Sequence, residues 1–115
     1  MELDSKFAAV RKGLLEFVVL ELIAKEPMYA ADLITQLAST EFATQEGTLY
    51  PLLSRLRRDE LVDYEWRESA SGPPRKYYRL TDAGHAQRDA LNGYWQHLNT
   101  TLETLRSRPC AESSP

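Results

Sequence analysis

Residues 46–80 change their hydrophobic period midway, and that switch restricts the fold more than any other feature of the chain. With successive side chains about 100° apart around a helix axis, Leu49, Leu52, Leu53 and Leu56 share one apolar sector at i, i+3, i+4 and i+7, which predicts a helix with one buried face. Over 61–68 the period falls to two. Val62, Tyr64 and Trp66 alternate with Asp63, Glu65 and Arg67, the pattern of a half-buried strand. Residues 75–80 supply a return strand. Between them, Ser69-Ala-Ser-Gly-Pro-Pro74 is rich in turn formers and too long for a two-residue hairpin loop, so it predicts a protruding tip. A short helix followed by a hairpin with a projecting tip is the layout of a winged helix.

The helix sector opposite the leucines is centred on Gly47, Pro51, Ser54 and Arg58, with Tyr50, Arg55 and Arg57 on its flanks. It is small or ring-shaped near the N-terminus and cationic toward the C-terminus, a surface able to approach a DNA groove closely. Backbone N–H groups at a helix N-terminus favour phosphate, arginine takes phosphate or a guanine edge, and a tyrosine hydroxyl hydrogen-bonds a phosphate oxygen. The candidate DNA contacts are therefore Gly47, Thr48, Tyr50, Pro51, Ser54, Arg55 and Arg58 on the helix, with Arg75 and Lys76 on the hairpin, where Arg67 and Arg79 also cluster. By composition alone, an ordinary amphipathic surface helix and a solvated strand face account for the same charges. The succession of the two patterns is what favours a nucleic-acid face.

The remaining chain organises around this segment. Residues 11–25 carry a dense apolar helix pattern (Leu14, Leu15, Val18, Val19, Leu22 and Ile23, widened by Phe17 and Leu20) and predict a central buried helix ended by Pro27. Residues 29–38 repeat Tyr29/Ala30, Leu33/Ile34 and Leu37, a narrower stripe suited to crossing the recognition helix. Thr81 can N-cap a last helix that begins with Asp82, an acid at the positive end of the dipole. That helix carries a stripe close to heptad spacing, with Leu91, Tyr94, Leu98 and Leu105 flanked by Trp95 and Leu102. A domain this small has no evident room for the stripe, so a second subunit is its natural cover, the alternative being packing on the chain's own first helix. Asn92-Gly93 is a weak point of the last helix that leaves room for a bend. The expected fold is α+β, mainly α: a winged helix-turn-helix over 1–81, a dimerisation helix over 82–106 and a disordered tail over 107–115.

Composition narrows the function classes. The 115-residue chain has a formal net charge of −3, which argues against bulk nonspecific nucleic-acid binding. The charges are uneven, however. Glu2, Asp4, Glu16, Glu21, Glu26, Asp32 and Glu41 crowd the first part, whereas seven of the fourteen cations lie between Arg55 and Arg79. Asp59, Glu60, Asp63, Glu65 and Glu68 are interspersed among them, so the expected affinity depends strongly on salt and on a second subunit. The lone Cys110 has no disulfide partner, and the apolar run over 14–24 is short and broken by Glu16 and Glu21. With no basic-then-apolar leader, a soluble cytoplasmic protein that avoids membranes is expected. His85 and His97 lie twelve residues apart, and no phosphate loop, metal-ligand spacing or nucleophile motif is present, so no enzyme, metal or cofactor is expected.

Gly47-Thr-Leu-Tyr-Pro-Leu-Leu53, Arg55-Leu56, Trp66, Arg75-Lys-Tyr-Tyr-Arg-Leu-Thr81 and Gly84 together resemble the signature of PadR-family transcriptional regulators, over nearly the whole chain outside the termini. The resemblance implies a homodimeric winged-helix repressor that binds a double-stranded DNA operator built as an inverted repeat and is released by a small aromatic or drug-like effector. The single C-terminal helix is similar to that of a smaller, multidrug-sensing subfamily in which a tryptophan of the last helix lines a cavity at the dimer centre, and Trp95 falls at the matching place. The resemblance thus implies an effector site at Trp95 and a dimer interface through Leu91, Tyr94, Trp95, Leu98, Leu102 and Leu105. Three positions depart from the pattern: Tyr29-Ala30 stands for Tyr-Gly, Glu60 for a glycine after the recognition helix, and Pro73-Pro74 for part of a wing richer in glycine and arginine. The prolines stiffen the tip against flexible entry into the minor groove. The alternative reading is a winged-helix protein-interaction module without DNA binding.

Overall fold

The structure, a computed structural model, describes residues 5–110. Helix α1 (Ala8–Lys25) buries Leu15, Val19, Leu20 and Ile23 and is the centre of the core. It begins before the apolar stripe, and Phe7 at its N-cap offers no side-chain hydrogen bond, so the sequence carries no capping signal for the start. Glu26 is extended, as expected of the residue before Pro27. Helix α2 (Ala30–Leu37) buries Ala30, Leu33 and Leu37, and helix α3 (Glu46–Arg58) buries Leu49, Leu53 and Leu56 completely. The Met28 and Tyr78 backbones exchange two hydrogen bonds of 3.0 and 2.9 Å, pinning the α1–α2 link to the hairpin.

The end of α3 is closed by a six-to-one and a five-to-two hydrogen bond, Leu61 N–H to the Leu56 carbonyl and Glu60 N–H to the Arg57 carbonyl, both 2.9 Å. This is the Schellman arrangement, and it requires a left-handed residue at its corner. Glu60 takes that corner at φ 62°, where the sequence departs from glycine.

Strands β1 (Val62–Ser69) and β2 (Gly72–Leu80) pair antiparallel from Val62↔Leu80 to Ser69↔Gly72. The expected six-residue tip is corrected here. The turn is only Ala70-Ser71, and Gly72-Pro73-Pro74 belong to β2. The physical reason lies in the register: between the pairs Arg67↔Arg75 and Ser69↔Gly72, two prolines stand opposite Glu68 alone. A bulge is a place where ladder bonds are not needed, so residues without an N–H are tolerated inside the strand.

Helix α4 (Asp82–Ser107) starts at Thr81, whose hydroxyl accepts the Gly84 N–H, and it continues unbroken through Asn92-Gly93. Gly84 is buried against Leu61, so closely that an added Cβ would collide with the Leu61 carbonyl oxygen. The first half of α4 lies on α1: Arg88 reaches Glu21 through two hydrogen bonds of 2.9 and 3.1 Å, and Leu91 packs against the core. Own-chain packing, the alternative left open by the sequence, thus holds for this half. Of the expected tail, Ser107 closes α4, residues 108–110 have no regular structure, and 111–115 lie outside the described residues.

Candidate nucleic-acid interface

All seven candidate residues of α3 are exposed: Gly47, Thr48, Tyr50, Pro51, Ser54, Arg55 and Arg58. Helical spacing spreads them over a broad face. Gly47, Pro51, Ser54 and Arg58 form its crest, Tyr50 flanks it toward the hairpin, and Thr48 and Arg55 flank it toward α1. A Cβ added at Gly47 would meet open space, so that glycine leaves room for an incoming surface rather than for the chain's own packing. Pro51 has no N–H to give the Gly47 carbonyl, which leaves an acceptor free on the same crest.

The arginines of α3 differ in their surroundings. Arg55 donates to Glu16 of α1 at 2.9 Å and lies 3.8 Å from Asp59, so it is held within the chain although 46% of its side chain stays exposed. Arg57 lies over the Tyr64 ring, 4.5 Å from its centroid. Arg58 has no ion pair among the described residues.

Strand alternation sorts the hairpin charges onto two faces. One face carries Val62, Tyr64 and Trp66 with Lys76, Tyr78 and Leu80, and looks toward α3. The other carries Asp63, Glu65 and Arg67 with Arg75, Tyr77 and Arg79. There Arg75 covers the Tyr29 ring at 4.5 Å, Arg67 covers Tyr77 at 4.6 Å, and the carboxylates of Glu65 and Asp63 lie 3.0 to 3.8 Å from Arg67 and Arg79. The two candidate wing residues are thus separated: Lys76 faces the recognition helix, and Arg75 faces away from it. Period two already implied this, because adjacent strand residues point to opposite faces.

Between α3 and the first hairpin face runs a groove lined by Ser54, Arg57, Arg58, Tyr64, Lys76 and Tyr78, with Glu60, Asp63 and Asp82 toward its α4 end. Burial, together with the nearby Tyr50 and Tyr64 hydroxyls, raises the Tyr78 pKa above the ordinary tyrosine value, while Arg57 pulls it back. An ordinary tyrosine is already protonated at neutral pH, so the hydroxyl is a donor there with or without the shift. Arg57, Tyr64 and Tyr78 were not among the sequence candidates. Tyr64 belonged to the half-buried alternation of the first strand, Tyr78 lay in the return strand with no role assigned, and Arg57 sat on the flank of the helical sector, so the signal was present but undistinguished.

Along α4, Leu91 is half-buried against its own chain's core, Leu98 and Leu102 are half-buried, and Tyr94, Trp95 and Leu105 are exposed by 66%, 42% and 52%. Among the described residues no cluster of His, Cys, Asp or Glu is placed to hold a metal ion, and no helix is long and apolar enough to cross a membrane.

Comparison with known proteins agrees with this geometry. The profile of the transcriptional regulator PadR-like family matches residues 19–90. A PadR-like transcription factor from Bacteroides fragilis is 46% identical, with 88% of this chain and 98% of that one covered at a TM-score of 0.76. A PadR-like transcriptional regulator from Bacillus cereus is 35% identical, with 85% and 96% covered at 0.74. A PadR family transcriptional regulator from Eggerthella lenta is 33% identical, with 93% and 94% covered at 0.79.

Proposed function

This chain belongs to the PadR-like family of transcriptional regulators, and on that premise we propose that it is a homodimeric repressor that reads an inverted-repeat operator and is released by a small aromatic effector. The family is one of DNA-binding regulators and not of enzymes. The observation that carries the reading is the exposed crest of α3, where Gly47, Pro51, Ser54 and Arg58, flanked by Tyr50, stand clear of the chain's own core. In this reading the crest enters the major groove, Thr48 and Arg55 meet the strand on the α1 side, and Arg75 and Lys76 add backbone affinity from the hairpin. The apolar stripe of α4 beyond Leu91 pairs with its symmetry mate, and Trp95 lines any effector cavity between them. Support for dimerisation comes from the exposed Tyr94, Trp95 and Leu105, a row of large apolar side chains on one helix that a lone subunit leaves in water. A soluble cytoplasmic location follows from the role.

Selection of bound duplexes from a random-sequence DNA pool tests the proposal. The expected product is an inverted repeat with half-sites about one helical turn apart, or a multiple of it. A folded dimer that enriches no sequence would overturn it and favour the protein-interaction alternative.

A further inference from the structure

Three of the seven cations between Arg55 and Arg79 are neutralised by the chain itself. Arg55 pairs with Glu16, Arg67 with Glu65, and Arg79 approaches both Asp63 and Glu65. Arg57 and Lys76 are different. Like Arg58 and Arg75, neither makes an ion pair among the described residues, although Glu60, Asp63 and Asp82 line the same groove, but these two alone share a ring. Both instead lie against one ring: the Arg57 guanidinium is 4.5 Å from the Tyr64 centroid and the Lys76 ammonium 4.4 Å, which puts the two charges within about 9 Å of each other. Lys76 also lies 5.4 Å from the Trp66 ring, which is 61% exposed. The chain therefore gathers two like charges from α3 and β2 around a half-buried tyrosine of β1 and brings no carboxylate of the described residues within ion-pair distance of either.

We infer that Arg57 and Lys76, held by Tyr64, grip one backbone phosphate of the operator in the groove between α3 and the hairpin. This inference rests on the DNA-binding reading above. A recognition helix in the major groove and a hairpin directed at the neighbouring minor groove must straddle the strand that separates the two grooves. That strand passes where Arg57 and Lys76 converge. Because Arg57 is drawn sideways onto Tyr64, it is not extended along the α3 crest toward base edges, and the contact is to phosphate rather than to sequence. The Tyr78 hydroxyl, a donor at neutral pH, lines the same groove.

The test uses the full chain, the duplex recovered by selection and a scrambled duplex of equal length, with affinity measured over a series of salt concentrations. An Arg57→Gln/Lys76→Gln double variant is expected to bind both duplexes more weakly by a similar factor, with the slope of log affinity against log salt shallower by two phosphates' worth, one per subunit of the dimer, or roughly 1.8. Tyr64→Phe keeps the ring and is expected to retain the wild-type slope. Tyr64→Leu removes no charge, yet it is expected to weaken both duplexes. Arg67→Gln deletes a cation on the opposite hairpin face and controls for bulk electrostatics. An unchanged slope in the double variant, an equal slope change in Arg67→Gln, or a loss confined to the selected duplex would each overturn the clamp. Should Tyr64→Leu fail to fold, the double variant, whose substitutions lie at the groove surface, decides alone. If wild type selects no DNA, the DNA-binding reading fails first, and it takes the clamp with it; a failed clamp with intact wild-type binding leaves that reading standing.

Discussion

The Thr81 hydroxyl donates to the Glu60 carbonyl at 2.7 Å while accepting the Gly84 N–H at 3.0 Å, so one side chain fastens the exit of α3 to the entrance of α4. The Thr81 N–H adds a third tie, to the Leu61 carbonyl at 3.0 Å. Thr81→Val keeps the shape and the backbone bond but loses both hydroxyl bonds, and it should lower stability by about 1–2 kcal/mol. Thr81→Ser should recover most of that. Urea unfolding at one fixed protein concentration measures both, and a valine variant as stable as wild type would show that the hydroxyl contributes nothing.

The same junction contains two backbone positions of opposite demand. Glu60 holds φ 62° with a Cβ, a conformation that costs an L-residue roughly 1–2 kcal/mol, partly offset by the extra unfolded-state freedom a glycine would bring. Glu60→Gly should therefore raise stability by about 0.5–1 kcal/mol. Gly84→Ala should do the reverse and cost about 2 kcal/mol or more, because the added methyl meets the Leu61 carbonyl oxygen in a packed site. If both substitutions shifted stability in the same direction, the account of this junction would be wrong.

Much of this architecture was legible from periodicity. The leucines of α3, the Val62/Tyr64 face of β1 and the Thr81 cap are local patterns, and each lies where its spacing implies. The hairpin tip was misread because two consecutive prolines locally signal a loop, whereas the strand accommodates them by a bulge opposite Glu68 that only pairing can reveal. Arg55 and Arg58 read alike along the helix. Their difference comes from Glu16, thirty-nine positions away from Arg55, and no local pattern reports such a partner.

That difference yields a binding prediction. Arg58→Ala should weaken binding to the selected operator by about 1–3 kcal/mol if the side chain reads a base, with altered preference at one position of a reselected site. Arg55→Ala removes a side chain already engaged by Glu16, so its loss in affinity should be smaller and accompanied by a lower melting temperature. Equal operator affinity for wild type and the double alanine variant would move the DNA-reading face off α3.

The α1–α4 contact should be sensitive to acid. Arg88 holds Glu21 by a side-chain hydrogen bond and by its charge, which lowers the Glu21 pKa below its ordinary 4.5 despite some opposing desolvation. A lowered folded-state pKa means that the pair's stabilisation is fully present above about 4.5 and is lost as pH falls through the folded value. The Glu21 side chain is nearly half exposed, so the effect should be small. Melting temperatures of wild type and Glu21→Gln should differ at neutral pH and converge in acid. A constant gap down to pH values well below 4.5 would assign the difference to packing instead.

Beyond Leu91, α4 decides whether two chains meet and whether a ligand sits between them. Leu98 and Leu102 are one turn apart and half-buried, and a glutamate at either would place an uncompensated charge in the proposed interface, giving monomers with poor operator binding by sedimentation and titration. Trp95 admits two outcomes, because large aromatics anchor interfaces whether or not they bind ligands. Its exposure in the single chain suits either role. The chain has two tryptophans, so Trp66→Phe leaves Trp95 as the sole reporter. If the two Trp95 rings flank a gap across the dimer axis, planar cationic dyes and phenolic compounds should quench that emission saturably and lower operator affinity in parallel. Rings in direct contact in a dimer crystal, with no saturable quenching in solution, would eliminate the effector site and leave Trp95 as interface packing.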